Sequence, residues 1–428
     1  MSDKNPKNVA VVVLGDIGRS PRMQYHAESL LNSGYNVDLI GYGDTKPIDN
    51  LLEHSNINII NLPPFPSTTL PKTITYVLKT IWQSLCLLCI LFYKRKSDYV
   101  LCQNPPAIPT LYVCWFYCLI VRANFIIDWH NYAHTIMALS LHKEHKLVKL
   151  ASFIESFFGR LANGHLCVTK AMKFDLKKTW KIKATTLYDR PQESFKSITL
   201  EEKHDLFERL ADEYPVFKSV DSGNIFTHVV DGNVELKSDR PGLLVSSTSW
   251  TEDEDFEILL NVFKEYDESL IDNGLPKLIC VITGKGPLKD FYTEQIKKLQ
   301  LKHISVVTPW LESQDYPKLL ASADLGVCLH TSTSGLDLPM KIVDMFGCGL
   351  PVCAYKFKCL NELVKHEKNG YVFQDYLQLK TQIFNWFKDF PNNEEENAKQ
   401  NEIRNNIKEF QELGWSENWK INAFPYFN

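Results

Sequence analysis

The sequence predicts two doubly wound, parallel α/β domains joined by a polar insertion. Three observations carry this reading. Residues 9–14 (VAVVVL) form an unbroken apolar run, as expected of a parallel strand covered on both faces. Strand-like apolar runs then alternate with helix-like stretches along the chain. The alternation starts afresh after residue 240.

The first strand, 9–14, ends in Gly15-Asp16-Ile17-Gly18. A helix is predicted over 21–33, stopped by Gly34. Further strands are expected at 37–42, 58–62, 99–103, 124–128 and 165–168. In the second half, strands are expected at 242–246, 278–283, 304–307, 325–329, 351–354 and 370–373, with helices at 254–270 and 288–299. The domain reading is therefore 1–191, an acidic insertion at 192–240 read as a loop with one helix, and a second Rossmann-like domain at 241–412. An aromatic tail at 413–428 is expected to pack back on the first domain.

The chain has 428 residues, 44% of them apolar, and a net charge of −4, too balanced for a generic polyanion binder. The 11 cysteines are scattered, odd in number and mostly set in apolar runs. With no signal peptide at the start and no glycosylation sequon, they predict a reducing, cytosol-facing setting. The charge is uneven: residues 70–190 hold 17 Lys+Arg against 6 Asp+Glu, and residues 192–268 hold 7 against 19. The basic part is also the most apolar. Residues 74–93 (ITYVLKTIWQSLCLLCILFY) run into Lys94-Arg95-Lys96, and 107–121 (AIPTLYVCWFYCLIV) runs into Arg122. These segments read as two buried helices, as helices set into one leaflet with a basic rim, or as a true transmembrane span, for which 74–93 has the length but is interrupted by Lys79, Gln83 and Ser84. The expectation is the second, without crossing the bilayer.

Four elements carry chemistry. In Gly15-Asp16-Ile17-Gly18-Arg19-Ser20-Pro21-Arg22, a tight strand–helix turn offers free N–H groups to an anion or a sugar oxygen. Asp128-Trp129-His130-Asn131 closes a strand, where open parallel sheets collect ligands and a carboxylate can orient a histidine. Thr283-Gly284-Lys285-Gly286-Pro287 brings amides and a lysine to a strand–helix turn, a fit for a diphosphate, without the spacing of an ATPase loop. The sharpest is the run 335–352, GLDLPMKIVDMFGCGLPV. Lys341 and Asp344 stand three apart on one helix face, so the lysine can meet phosphate while the carboxylate takes ribose hydroxyls.

This last run resembles the nucleotide-sugar signature of two-domain GT-B glycosyltransferases, and Asp128-Trp129-His130 looks like their acidic–x–His element. GDIGRSPRMQYHA (15–27), QNPPAIPT (103–110), DWHNY (128–132), SSTSWTEDEDF (246–256), ITGKGPL (282–288) and HTSTSGLDLPMKIVDMFGCGLPVCA (330–354) resemble, more closely, the chitobiosyldiphosphodolichol β-mannosyltransferase family. The resemblance implies a GT-B fold, with two Rossmann-like domains facing each other across a cleft. It implies an inverting transfer of the first mannose from GDP-mannose to dolichyl-diphosphate-chitobiose on the cytosolic face of the endoplasmic reticulum. Neither a metal nor a cofactor is expected. Besides the two substrates, the expected partners are the membrane lipid and other mannosyltransferases of the lipid-linked pathway, with no nucleic acid.

The resemblance assigns donor contacts to Thr248, Ser249, Gly284, Lys285, Gly286, Trp310, Leu311, Asp337, Lys341 and Asp344. Acceptor contacts fall to Gly15, Gly18, Arg19, Arg22, His26 and Asn131. The catalytic candidates are Asp16, Asp128 and His130, with Asp16 favoured as base because its loop is expected to face the cleft. There are departures from the class. Leu336 stands where many members carry an acid eight before the ribose residue, the nearest acid being Asp337. Ser246-Ser247-Thr248-Ser249-Trp250-Thr251 fills the place of an Arg/Lys pair, so charge compensation falls to Lys285, Lys341 and backbone amides. The family's usual N-terminal anchor has no counterpart before the first strand, so membrane attachment is expected from the internal segments. Two rivals remain at this stage: a retaining GT-B enzyme acting on a lipid-linked sugar, and an inert GT-B scaffold.

Overall fold

The computed structural model describes residues 6–270, 273–312 and 314–428. They form two compact units, one running to Asp189 and including Trp415–Asn428, the other Arg190–Gly414.

The first unit runs β1 (Asn8–Asp16), α1 (Pro21–Asn32), β2 (Asn36–Tyr42), α2 (Asp49–Leu52), β3 (Ile57–Asn61), α3 (Lys72–Tyr93), β4 (Tyr99–Asn104), α4 (Thr110–Val121), β5 (Asn124–Trp129), α5 (Ala133–Leu141), α6 (Lys146–Leu161), β6 (Gly164–Cys167), α7 (Lys170–Asp175) and β7 (Thr185–Thr186). The strands make one parallel sheet in the order β3-β2-β1-β4-β5-β6-β7. Val9–Val13 of β1 are buried, which explains the unbroken apolar run. The strand order reverses at β1, so the carboxyl ends of β1, β4 and β5 border the crevice where such sheets bind ligands. Register sets Gln103 opposite Asp128 and Asn104 opposite Trp129, so the ends of β4 and β5 lie side by side.

The insertion at 192–240 is not the loose linker that its acidity suggests. It forms α8 (Leu200–Glu213) and the hairpin β8 (Thr227–Val230)–β9 (Asn233–Leu236) within the second unit. A capping box between Thr199 and Glu202 starts α8. Leu206, Phe207, Leu210, Phe217 and Phe226 are buried in that unit's core, and this burial holds the segment despite its surface charge.

The second unit continues through β10 (Gly242–Ser247), α9 (Glu257–Ser269), β11 (Leu278–Thr283), α10 (Lys289–Lys298), β12 (Ile304–Val307), α11 (Asp315–Ser322), β13 (Leu325–Cys328), α12 (Met340–Gly347), β14 (Val352–Tyr355), β15 (Tyr371–Phe373), α13 (Tyr376–Phe387) and α14 (Glu394–Glu412). Its parallel sheet has the order β12-β11-β10-β13-β14-β15, with the reversal at β10. The helix expected from 254 starts only at Glu257 and leaves Asp253 and Glu254 free for other work. The chain ends with α15 (Trp415–Asn422), which belongs to the first unit. Trp419 and Phe427 lie in the core of that unit, and Trp415 Nε1 donates to Ser29 Oγ at 3.0 Å.

α3 is not a core helix. Leu87 and Leu91 are buried against the unit, but only 11% of Ile74–Tyr93 is buried overall. Ile74, Tyr76, Val77, Ile81, Leu85 and Phe92 are exposed. α4 buries Leu111, Val113, Cys114 and Tyr117, and leaves Phe116, Leu119 and Ile120 outside.

Candidate functional site

In the first unit, β5 delivers Asp128 to a fully buried position at its carboxyl end. Four donors converge on the Asp128 carboxylate. Arg22 of α1 donates from Nε to Oδ2 at 2.7 Å and from Nη2 to Oδ1 at 2.9 Å. His26 Nε2 lies 3.0 Å from Oδ2 and His130 Nε2 lies 2.7 Å from it. Burial opposes the charge on Asp128, yet the Arg22 guanidinium and then His130 hold this carboxyl well below the usual carboxylate range. Arg22 is spent here: its Nη1 donates to Asp189 Oδ1 and to the Leu187 carbonyl, both at 2.8 Å.

The two histidines differ. Trp419 Nε1–H donates to His26 Nδ1 at 2.9 Å, so the His26 proton sits on Nε2 and points at Asp128. His26 is completely buried, and burial lowers its pKa. His130 is partly exposed. Its Nε2 donates to the carboxylate, which leaves Nδ1 as the lone-pair nitrogen. The arrangement is a histidine oriented by a buried, charge-balanced carboxylate.

Several expected residues stand elsewhere than expected. Asp16, the favoured base, caps the turn after β1. Its Oδ1 accepts from Gly18 N at 3.2 Å and Thr45 N at 3.1 Å, its Oδ2 binds the Thr45 hydroxyl, and Arg19 Nε lies 3.4 Å away. Arg22 and His26, expected at the acceptor, are buried behind Asp128, because α1 packs the face that carries them against the sheet and α15. Arg19 is exposed and Asn131 partly so. Gly15 and Gly18 flank Asp16, and a Cβ on Gly18 would meet the Thr45 carbonyl oxygen at 2.6 Å, so the turn needs a glycine for clearance.

In the second unit, α12 carries Lys341 and Asp344 on one partly exposed face. Lys341 Nζ is ion-paired with Glu254, whose side chain is nearly fully buried. The same carboxylate accepts from the Thr248 hydroxyl and, at 2.9 Å, from Ser249 N. Glu254 thus gathers Thr248, Ser249 and Lys341, three of the residues expected at the donor. Sequence reasoning missed it because its partner Lys341 is 87 positions away. The Gly284 and Gly286 turn fits under this loop: a Cβ on either would collide with the Thr248 or Ser249 carbonyl oxygen.

The Lys285 ammonium lies 3.7 Å from the centre of the Trp310 ring, and that ring is 63% exposed. Leu311 beside it is partly buried. Trp310 N is held by the Tyr214 hydroxyl at 3.0 Å, so the acidic insertion supports this corner. Asp337 accepts from the Ser332 hydroxyl and lies 4.0 Å from His330 Nε2. His330 Nδ1 is 2.9 Å from Asp253, and this bond is the largest cause holding the Asp253 carboxyl below its usual range. Among the described residues, no three His, Cys, Asp or Glu side chains gather as a metal site.

Residues 232–409 match the family described as glycosyl transferases group 1. A chitobiosyldiphosphodolichol β-mannosyltransferase of Homo sapiens is 47% identical over 98% of this chain and 92% of its own length. The Pongo abelii enzyme of the same name is 47% identical over 99% and 93%. Among solved structures, sucrose-phosphate synthase from Thermosynechococcus elongatus superposes with a TM-score of 0.67, covering 98% of this chain and 97% of its own at 13% identity, a likeness of fold.

Proposed function

The chain belongs to the chitobiosyldiphosphodolichol β-mannosyltransferase family and is a glycosyltransferase, and on that premise we propose that it moves mannose from GDP-mannose to dolichyl-diphosphate-chitobiose with inversion. The observation that supports this most is an identity of 47% over 98% of the chain.

In this reading the acceptor hydroxyl attacks the anomeric carbon of mannose as the bond from that carbon to the diphosphate oxygen breaks. His130 Nδ1 takes the hydroxyl proton, and the imidazolium that forms is held by Asp128 through Nε2. Arg22 balances Asp128 and keeps it an anion throughout. We assign the base to His130 and not to Asp16, whose oxygens are taken up by Thr45, Gly18 and Arg19. On the donor side, Lys341 and Lys285 meet the diphosphate, with Thr248, Ser249 and the amides around Gly284 and Gly286. Asp344 takes the ribose hydroxyls, and Trp310 with Leu311 takes guanine. Asp337 orders the loop before α12 through Ser332.

The acceptor's lipid cannot leave a bilayer, so the first unit has to work at one. The exposed apolar faces of α3 and α4, rimmed by Lys94, Lys96 and Arg122, suit docking in the cytosolic leaflet of the endoplasmic reticulum. The test is incubation of the full chain with labelled GDP-mannose and phytanyl-diphosphate-chitobiose, with the product linkage read by NMR. A β-linked mannose on the acceptor is the expected product. An α-linked product, or no transfer, contradicts the reading.

A further inference from the structure

α5 begins directly after the DWHNY element and forms a hairpin with α6. The outer side of this hairpin is apolar: Ile136, Leu139, Leu147, Leu150, Phe153 and Phe157 are exposed. Lys143, Lys146, Lys149 and Arg160 are exposed around it, and Glu144 is the one acid exposed between residues 130 and 170, itself paired with Lys149 at 2.7 Å. α6 packs on α4 and α4 on α3, so this face continues the apolar surface of α3. An apolar face with a cationic rim matches an anionic lipid surface.

The inner side of the same hairpin holds Glu155, a fully buried carboxylate of α6. Its two oxygens take four hydrogen bonds. Asn104 Nδ2 donates at 2.8 Å and Ala133 N at 2.7 Å to Oε1, while His134 N at 3.2 Å and His134 Nδ1 at 2.6 Å donate to Oε2. Ala133 N and His134 N belong to the first turn of α5, whose N–H groups lack partners within the helix. Asn104 reaches the other way. Its Nδ2 also donates to the Asn131 carbonyl at 2.9 Å, and its own carbonyl accepts from His130 N at 2.8 Å. One carboxylate therefore joins the hairpin to the strand end that carries His130. Only a carboxylate presents acceptors alone to four donors; an amide would turn an NH₂ group toward some of them.

We infer that the α5–α6 hairpin is a lipid-contact element facing an anionic bilayer, and that Glu155 is the positioning residue through which the hairpin's placement sets that of His130. This rests on the proposed transfer to a lipid-borne acceptor. It adds that the surface receiving the lipid and the base acting on its sugar are held by one buried group.

The test uses the full chain, phosphatidylcholine–phosphatidylserine vesicles, and two acceptors that carry the same chitobiose diphosphate on a long or a short, water-soluble chain. The wild type is read first: turnover of neither acceptor overturns the proposed reaction, and with it this inference. With the wild type active, the double change Leu139→Ser and Phe153→Ser is expected to lower the vesicle-bound fraction. It should also lower the long-to-short turnover ratio about tenfold. Wild-type values for both overturn the lipid contact. Glu155→Gln displaces both His130 and Asn131, so it is expected to lower kcat and to raise the acceptor KM about tenfold with either acceptor while GDP-mannose affinity holds. A merely structural loss lowers the active fraction and leaves KM in place. His134→Ala removes one donor from the partly exposed side and is the second variant, expected to shift KM the same way by a smaller factor. Wild-type acceptor KM in both variants overturns the positioning role.

Discussion

At their candidate sites the two units place ionisable groups differently. The first buries Asp128, Arg22 and His26 completely or nearly so and lets one histidine, His130, reach outward. The second leaves Lys285 exposed and Lys341, Asp344 and His330 partly exposed, with Lys341 paired to the buried Glu254 of another loop. A buried, fully bonded cluster cannot rearrange without a large penalty, so it suits a base whose tautomer and aim must not change. Cations that reach solvent can meet an incoming diphosphate without first being uncovered, as its capture demands. In the proposed reading, proton transfer belongs to the first unit and donor capture to the second.

The largest expected effect breaks the buried cluster. Asp128→Ala leaves Arg22 with only Asp189 as an ionic partner and removes the Asp128 bond from both histidines. It should cost about 3–5 kcal/mol of stability and abolish transfer, read by thermal melting beside activity. Second, His130→Ala should lower kcat by about 10²–10⁴-fold, whereas Asp16→Asn, which alters a turn cap, should cost far less. A dead Asp16→Asn beside an active His130→Ala moves the base back to Asp16. Third, Lys341→Ala should weaken GDP-mannose binding by about 1.5–3 kcal/mol, and Asp344→Ala should mainly raise the donor KM; calorimetry and steady-state kinetics check these.

The smallest effect sharpens the comparison through pH. Burial lowers His165 to about 4 and also lowers His26, both in the first unit. The unfolded chain binds these protons below about pH 6.5 while the folded chain does not. Stability is therefore untouched above that pH and falls as pH drops toward 4. In the second unit burial lowers Lys203 to about 8, with Asp324 opposing. That cost is complete below pH 8 and is relieved as pH rises toward about 10.4, the unperturbed lysine value. Melting curves across pH should show His165→Asn flattening the acid limb and Lys203→Met raising the midpoint at neutral pH.

Where the arrangement depended on neighbours in sequence, the sequence was readable. Lys341 and Asp344 share a helix face at spacing three, and Asp128 and His130 share a strand end. Where it depended on distant pairing, it was not. Glu254 looks like one acid among four in TEDEDF, and Glu155 like a solvated helix residue. Each acquires its role from partners that only folding brings near. The burial of Arg22 was illegible for a related reason: charge in the turn before α1 suggested a ligand, whereas Arg22 pairs with Asp128, 106 positions on. The 192–240 segment misled through composition, since five buried apolar side chains outweigh a surface of acids. For 74–93, length and composition could not separate a core helix from an exposed one, and the exposure of Ile74, Val77 and Ile81 separates them.

The division of labour is tested most directly by measuring GDP-mannose Kd and single-turnover rate on the same preparations of His130→Ala and Lys341→Ala. The account predicts that His130→Ala keeps the wild-type Kd and loses its rate even at saturating donor, while Lys341→Ala loses affinity by about tenfold or more. Equal losses of affinity in both variants, or a wild-type rate in His130→Ala, would contradict it.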